Sequence, residues 1–166
     1  MEATTTPIPL RASGRHQKSS RRQSLRFKVK RLHRDALLPQ YCSAGAAGLD
    51  LCAMQEEAIF FGDGPKYINT GIAVEIPEGY IGLLSLRSSA AKLGLYMPNA
   101  PGIIDSDDRG ELKVLVCATG PDDVLLEVGQ RIAQLVVIPC AQVEVEEADK
   151  LGETKRGTGG CGSTGC

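Results

Sequence analysis

Short segments of alternating apolar and polar residues run through most of this chain. Residues 25–32, "LRFKVKRL", and residues 70–77, "TGIAVEIP", place apolar side chains at nearly every second position. Such alternation is typical of strands with one buried face. Comparable segments predict three more strands, at Tyr80–Leu86, Glu111–Ala118 and Arg131–Pro139. One helical turn is predicted at residues 88–94, "SSAAKLG", where Gly94 would end it.

Turn-forming residues separate these segments. The turns "GDGP", "IPEG" and "TGPDD" lie between short apolar stretches, a spacing typical of β-sandwiches and barrels. Aromatic residues make up only 4% of the chain and Trp is absent, so we expect a core built from aliphatic side chains. The pattern therefore predicts an all-β sandwich or barrel with one short helix.

A length of 166 residues suits one domain with appended arms. Residues 1–24 are rich in Ser, Thr and Arg and lack apolar periodicity, which predicts a disordered basic arm. We expect the β domain over residues 25–152 and a flexible glycine-rich arm over residues 153–166. No apolar run approaches the roughly 20 residues of a membrane helix, and no secretory signal is recognisable. We therefore expect an intracellular protein, cytoplasmic or nuclear, with no membrane partner.

The formal net charge of −1 conceals a strong asymmetry. Residues 1–34 contain ten Lys and Arg against Glu2 alone, a charge of +9, whereas the rest of the chain carries −10. Three interpretations of the basic arm stay open: a solvated tail, a nuclear-import patch and an organelle transit peptide. Because no aromatic residue is interleaved with the charges, nucleic-acid binding is disfavoured, and the arm is the one segment that could provide it.

The six cysteines, at positions 42, 52, 117, 140, 161 and 166, include no C-x-x-C pair. The two histidines lie far from them in the sequence, which argues against a zinc site. We expect reduced, separate thiols, as in most cytosolic and nuclear proteins.

Five segments place polar residues where packing alone does not require them. Asp50 stands between apolar neighbours, Gln134 interrupts an apolar strand, and Asp105 follows an apolar pair. Arg87 precedes two hydroxyls, Ser88 and Ser89, at the start of the helical turn, where free N–H groups favour an anion. The chain ends on "RGTGGCGSTGC", whose glycines, Arg156, Ser163 and Thr164 could cradle a phosphate. Each has a structural alternative: Asp50 could cap a turn, Gln134 could bind a neighbouring backbone group, and the tail could be a flexible end.

In order and spacing, these segments resemble the five motifs of the trimeric dUTPase family. The matching segments are residues 47–51, 87–89, 102–110, 129–135 and 156–165. Three positions depart from the family pattern. Asp108 replaces a tyrosine in the third motif, Gln130 replaces an acid in the fourth, and Cys161 replaces a phenylalanine in the fifth. The resemblance covers residues 25–165 and is far more specific than one glycine-rich string.

The resemblance implies a jelly-roll-like β domain that assembles as a homotrimer with shared active sites. Its activity would be the Mg²⁺-dependent hydrolysis of dUTP to dUMP and pyrophosphate. That reaction limits uracil incorporation into DNA and supplies dUMP for dTMP synthesis. The glycine-rich tail would become ordered only over a bound triphosphate at a neighbouring chain's site.

The resemblance also implies roles for individual residues. Asp105 would bind the sugar 3′-hydroxyl and orient the attacking water, and Asp50 would reach Mg²⁺ through water. A hairpin with Asn99 and Gly102 would read uracil. Asp108 and Cys161 would face the sugar and the base. The triphosphate would be bound by a larger set: Arg87, Ser88, Ser89, Gln134, Arg156, Gly162, Ser163 and Thr164.

The replaced aromatic residues predict an impaired or less selective enzyme. Cys161 cannot stack on the base as the phenylalanine does, and the loss of such stacking typically costs about 1–3 kcal/mol of binding free energy. Asp108 could accept a hydrogen bond from a ribose 2′-hydroxyl. The alternative is a catalytically impaired relative that binds nucleotide or a protein partner. A related dCTP deaminase branch carries a catalytic glutamate where this chain has Leu115, so deamination is disfavoured. A nucleic-acid-binding protein that uses only the basic arm would show strong salt dependence.

Overall fold

The computed structural model describes residues 25–159 and contains ten strands and one helix in that range. In chain order the elements are β1 Lys28–Arg31, β2 Leu49–Cys52, β3 Glu57–Ile59, β4 Lys66–Glu75, β5 Tyr80–Leu86, α1 Ser88–Lys92, β6 Leu95–Tyr96, β7 Gly102–Ile104, β8 Glu111–Ala118, β9 Val124–Leu126 and β10 Arg131–Pro139. The predicted all-β class with one short helix is confirmed.

Two four-stranded antiparallel sheets make up the domain. Their strand orders are β1-β4-β8-β6 and β2-β10-β5-β7, and β3 pairs with β9 in a separate ribbon. One cluster of buried side chains takes members from both larger sheets, so the two sheets share a core. The core is aliphatic, as composition predicts: its largest fully buried side chains include Ile68, Ile72, Val114, Ile132 and Leu135.

The longer predicted strands are confirmed. Strands β5, β8 and β10 have the predicted bounds. The first strand begins at Lys28 and not at Leu25, and β4 begins at Lys66, four residues before the predicted segment. Strands β2, β3, β6, β7 and β9 have only two to four residues, too few to establish a period of two. The helix ends before Gly94, whose φ of 88° is costly for other residues.

Beyond β10 the chain leaves the sheets. Residues 141–159 form no strand and are exposed. Val143 and Val145 alternate with glutamates and are 80% and 91% exposed, and Leu151 is 89% exposed. Alternation of this kind is typical of a strand with one covered face, so this segment presents an apolar stripe that its own domain does not cover.

Within the part of the chain that the structure describes, no helix is long and apolar enough to cross a membrane.

Gly71 occupies an irregular point in β4, where the register against β8 shifts. Its φ is 69°, and its N–H donates to Glu111 Oε1 at 2.8 Å. A Cβ atom built on Gly71 would lie 2.8 Å from Met54 Sδ and 2.9 Å from Ala36 Cβ. Glycine is therefore required both by the backbone conformation and by the lack of space.

We predict that Gly71→Ala lowers the free energy of unfolding by about 2–4 kcal/mol, because left-handed strain adds to overpacking. Gly62→Ala is the matched control, since Gly62 also has positive φ (93°) but a Cβ atom on it would meet nothing within 4 Å. Gly62→Ala therefore measures backbone strain alone and should lower the free energy of unfolding by about 1 kcal/mol. Denaturant unfolding of both variants measures the difference, and equal losses would contradict the crowding at Gly71.

Candidate functional site

Asp50 is a buried carboxylate at the centre of a group of polar side chains. It lies in β2, between Leu49 and Leu51, and its side chain is 9% exposed. The backbone N–H of Asp50 donates to the Gln40 carbonyl at 2.9 Å, which fixes the strand on its other edge. An ionised carboxylate at this depth needs charged or hydrogen-bonding partners.

Two arginines supply those partners. Arg87 Nε lies 3.1 Å from Asp50 Oδ1, and Arg131 Nη1 lies 3.2 Å from Asp50 Oδ2. The Cys42 thiol donates to the same Oδ2 at 2.8 Å and accepts from Arg131 Nη1 at 2.7 Å. These four residues are called the Asp50 cluster below. The predicted need of Asp50 for a partner is thereby met by two cations, and not by the capping of a turn.

The contacts within the cluster also affect its titration. Contact with Cys42, followed by the charge of Asp50, raises the pKa of Arg131, so its guanidinium stays protonated. Burial, and then the charge of Asp50, raises the pKa of the Cys52 thiol, which lies two residues along β2. The two pKa shifts therefore favour the charged form of Arg131 and the neutral thiol of Cys52.

Gln134 lies beside Asp50 in the sheet. In the register of β10 it stands opposite Asp50 on one side and Ser85 on the other, so the three side chains share one face. Gly48 gives Gln134 its space, because a Cβ on Gly48 would lie 2.9 Å from Gln134 Oε1. Gln134 is half-buried, and the sheet register brings it to the Asp50 cluster as the motif order implies.

Arg87 joins β5 to α1. Its own N–H donates to the Ile132 carbonyl at 3.0 Å, which ties the junction to β10. Ser88 and Ser89 follow and are exposed, and Arg87 Nη1 donates weakly to Ser89 Oγ at 3.4 Å. The structure thus brings Arg87 into contact with Asp50, and Ser88 and Ser89 follow it in the chain.

Asp105 belongs to a different part of the surface. It follows β7, which pairs with β5 through Gly102↔Leu84, and its side chain is exposed. Gly102 is buried, and a Cβ there would lie 3.3 Å from Leu84 Cβ and 3.6 Å from Asn99 Nδ2. Asn99 and Gly102 are therefore neighbours, with Asp105 at the far end of the same short strand.

Asp108 stabilises the turn after Asp105. Its N–H donates to the Asp105 carbonyl at 3.3 Å, and its Oδ1 accepts from the Gly110 N–H at 2.7 Å. Arg109 closes the turn by donating to the carbonyls of Ser106 and Asp108, both at 2.7 Å. Asp108 therefore has a local structural role that its predicted place beside a sugar does not exclude.

Asp105 and Asp50 line separate cavities. A groove of about 920 Å³ contains Asp105, Ser106, Asp107 and Arg109, together with the β4–β5 turn. A second cavity of about 390 Å³ contains Asp50, Cys42, Cys52 and Arg131. The two cavities share no residue. Neither of these two cavities therefore contains both Asp105 and Asp50 of one chain.

The tail is described only in part. Arg156 is exposed, on the segment that follows β10. Cys161, Gly162, Ser163 and Thr164 lie outside the described residues. Within residues 25–159, no three His, Cys, Asp or Glu side chains are placed to hold a metal ion.

Sequence reasoning missed Arg131 and Cys42 as members of the cluster. Arg131 is the first residue of β10, at a strand end that is usually exposed to solvent, and Cys42 lies in a loop eight residues before Asp50. A signal for Arg131 was present, because a buried acid in a strand requires a cation. Periodicity and composition did not indicate which cation would reach it.

Comparison with known proteins identifies related chains. The dUTPase family model matches residues 34–165. A deoxyuridine 5′-triphosphate nucleotidohydrolase from Hydrogenobaculum sp. is 44% identical over 142 residues, which cover 85% of this chain and 99% of the relative. The enzyme of the same name from Sinorhizobium medicae is 46% identical over 132 residues, 77% of this chain and 82% of the relative.

A solved structure agrees with the fold. The Staphylococcus bacteriophage 80alpha dUTPase with dUpNHpp is 26% identical to this chain, with a TM-score of 0.76. The match covers 86% of this chain and all of the phage protein. Sequence and structure therefore lead to the same group of proteins.

Proposed function

The chain belongs to the dUTPase family and hydrolyses dUTP to dUMP and pyrophosphate, and we propose that it does so at sites assembled from more than one copy. This proposal rests on the separation of Asp105 from Asp50, which line two cavities without a common residue. If both take part in one reaction, two chains must meet. A threefold trimer with shared sites is the assembly that the resemblance implies.

Asp105 is the proposed catalytic residue. Its exposed carboxylate, at the end of β7, would accept a hydrogen bond from the sugar 3′-hydroxyl. It would also hold the water that attacks the α-phosphorus. The turn closed by Arg109 fixes its backbone. A carboxylate that orients water needs a defined position, which a strand end followed by a hydrogen-bonded turn provides.

The phosphate chain is assigned to the surface around Arg87, beside Asp50. Arg87 has one N–H directed to Asp50 and a weak contact from Nη1 to Ser89, which leaves its other donors for phosphate oxygens. Ser88, Ser89 and Gln134 would add neutral donors on the same surface. Arg156, with Gly162, Ser163 and Thr164, would close over the triphosphate from a further chain.

Enzymes of the dUTPase family generally use Mg²⁺. A carboxylate accepts about four hydrogen bonds, and among residues 25–159 Asp50 Oδ1 has a single close partner, Arg87. Asp50 therefore fits a water-mediated contact with a hard cation that takes its inner ligands from the phosphates. When bound, Mg²⁺ would neutralise phosphate charge at this site.

Uracil is assigned to the segment that joins β6 to β7. Asn99 and Gly102 stand side by side there, beneath Leu84. Glycine at position 102 lets the backbone approach closely, so the base would be read by main-chain groups and the Asn99 amide. The sugar would then lie toward Asp105 and Asp108, at the other end of β7.

The exposed stripe of Val143, Val145 and Leu151 supports assembly. These side chains are at least 80% exposed in the single chain, and a stripe of this kind is normally covered by a partner. A neighbouring copy that received this segment would also receive Arg156 and the tail beyond it. This route would carry the fifth motif to another chain's site.

A nucleotide- or partner-binding protein without activity is not favoured. The residues assigned to water and phosphate, Asp105, Arg87 and Gln134, are all present. The targeting of the basic arm over residues 1–24 stays a prediction from composition, as does the boundary at residue 152.

We predict that Asp105→Asn lowers kcat for dUTP at least 100-fold, because the loss of a positioned base typically removes about that much. Binding of dUpNHpp should change little, since the amide keeps the shape of the side chain. The control is Asp107→Asn, in the same turn. Pyrophosphate release with Mg²⁺ measures the rate. Equal activity of the two variants would exclude Asp105 from the chemistry.

Shared sites predict that two inactive variants complement each other. Asp105→Asn and Arg87→Met chains, denatured together and refolded, should regain about a quarter of the wild-type rate, because random mixing gives one site in four both intact residues. Each variant refolded alone stays inactive. A mixture as inactive as its components would place Asp105 and Arg87 of a site in the same chain.

Asp108 predicts weaker sugar discrimination than an aromatic residue would give. A carboxylate can accept a bond from the 2′-hydroxyl of UTP, whereas a tyrosine ring in van der Waals contact with the sugar excludes it. We expect Asp108→Tyr to raise the ratio of kcat/KM for dUTP over UTP by about tenfold, the effect of one such contact. An unchanged ratio would show that Asp108 only stabilises its turn.

A further inference from the structure

We propose that Arg131 is a positioning residue for phosphate binding: it holds the Asp50 carboxylate so that Asp50 orients the guanidinium of Arg87. This inference rests on the proposed role of Arg87 at the phosphate chain. It adds a second arginine that acts on the substrate only through the first, with Cys42 as its support.

The two oxygens of Asp50 are divided between the two arginines. Arg87 Nε faces Oδ1 at 3.1 Å and Arg131 Nη1 faces Oδ2 at 3.2 Å. A carboxylate held at both oxygens has little freedom to rotate about its terminal bond. With Arg131 removed, Oδ2 would keep only the Cys42 thiol, a weak donor. The carboxylate could then turn, and Arg87 would lose its fixed direction.

The backbone supports the same connection. Arg131 begins β10 and stands opposite Cys52 of β2, and the next residue, Ile132, accepts the Arg87 N–H at 3.0 Å. Both arginines are therefore tied to the start of β10. Cys42 accepts from Arg131 Nη1 at 2.7 Å, which keeps that nitrogen beside Oδ2.

The alternative is that Arg131 contacts phosphate directly. Its side chain is 49% exposed, and it has donors besides Nη1. The two hypotheses differ in how the arginines combine. A residue that acts only through Arg87 has no further effect once Arg87 is gone, whereas a second direct contact contributes independently.

A double-mutant cycle with dUpNHpp distinguishes them. Wild type, Arg87→Met, Arg131→Met and the double variant are titrated by calorimetry in the presence of Mg²⁺. We expect losses of affinity of about 100-fold for Arg87→Met and about tenfold for Arg131→Met, the range for charge-assisted hydrogen bonds. The double variant should bind within about twofold of Arg87→Met, because neighbouring residues in one network are not additive.

Lys66→Met provides the matched control. Lys66 is a cation paired with Glu57 in the other part of the domain, so its loss should leave dUpNHpp affinity unchanged and combine additively with Arg87→Met. Arg131→Lys keeps the charge but not the two-sided contact with Cys42 and Asp50. It should recover part of the lost affinity, which a general loss of stability would not explain.

Three results would overturn the inference. A double variant about 1,000-fold weaker than wild type, the product of the single losses, would make Arg131 a direct contact. An Arg131→Met variant with wild-type affinity would leave it without a role. An Arg87→Met variant with wild-type affinity would overturn both this inference and the phosphate role of Arg87. Additivity with a clear Arg87 effect would overturn this inference alone.

Cys42→Ala keeps the test decisive if Arg131→Met does not fold. This variant removes only the support of the arginine, so we expect an affinity loss of about threefold, within the range for one weak hydrogen bond. In the Arg87→Met background the loss should disappear. A loss of the same size in both backgrounds would contradict the chain of contacts from Cys42 through Arg131 and Asp50 to Arg87.

Discussion

A buried carboxylate between two guanidinium groups determines the arrangement of one half of this molecule. Asp50 lies where β2, β10 and the β5–α1 junction meet, and each of these elements contributes one side of its environment. Burial of an unpaired carboxylate is strongly unfavourable, and breaking a buried pair typically costs about 3–5 kcal/mol. The three elements therefore cannot shift independently. The residues assigned to phosphate are held together by a requirement of folding.

Asp105 is held in position by different interactions from those of Asp50. Asp105 is exposed and depends on the hydrogen bonds of its turn, not on burial. Its groove is bordered by carboxylates of Glu75, Glu78 and Asp107, with Arg109 as the cation. A triphosphate would be repelled by such a surface alone and attracted by the arginines of the Asp50 cluster. The distribution of charge thus agrees with the sugar at the groove of Asp105 and the phosphates at the arginines of the Asp50 cluster.

Much of the fold could be predicted from sequence because long strands carry enough residues to show a period of two. β5, β8 and β10 span seven to nine residues and were predicted with their observed bounds. The short strands β2 and β7 could not be, although they carry Asp50 and precede Asp105. Their positions are determined by pairing with β10 and β5, which is information from distant parts of the chain. Motif resemblance supplied the residues that periodicity missed.

The Asp50 cluster could be predicted only in part from the sequence. Position 50 could be identified as a buried acid from its apolar neighbours alone. Its partners could not, because Arg87 and Arg131 are 37 and 81 residues away and only the sheet order brings them together. Motif order indicated that Arg87 would be near, but it assigned Asp50 to a metal ion. The direct ion pairs became visible only in three dimensions.

The separation of the two cavities has a genetic consequence. When intact and Asp105-deficient chains are co-expressed and sites are shared as proposed, a deficient chain would damage only the site that uses its own carboxylate. It would still supply its arginines to a neighbour. Total activity would then scale with the fraction of intact chains and not with the cube of that fraction. A defect of this kind would behave as recessive in a mixed population of subunits, whereas one that blocked assembly would be dominant.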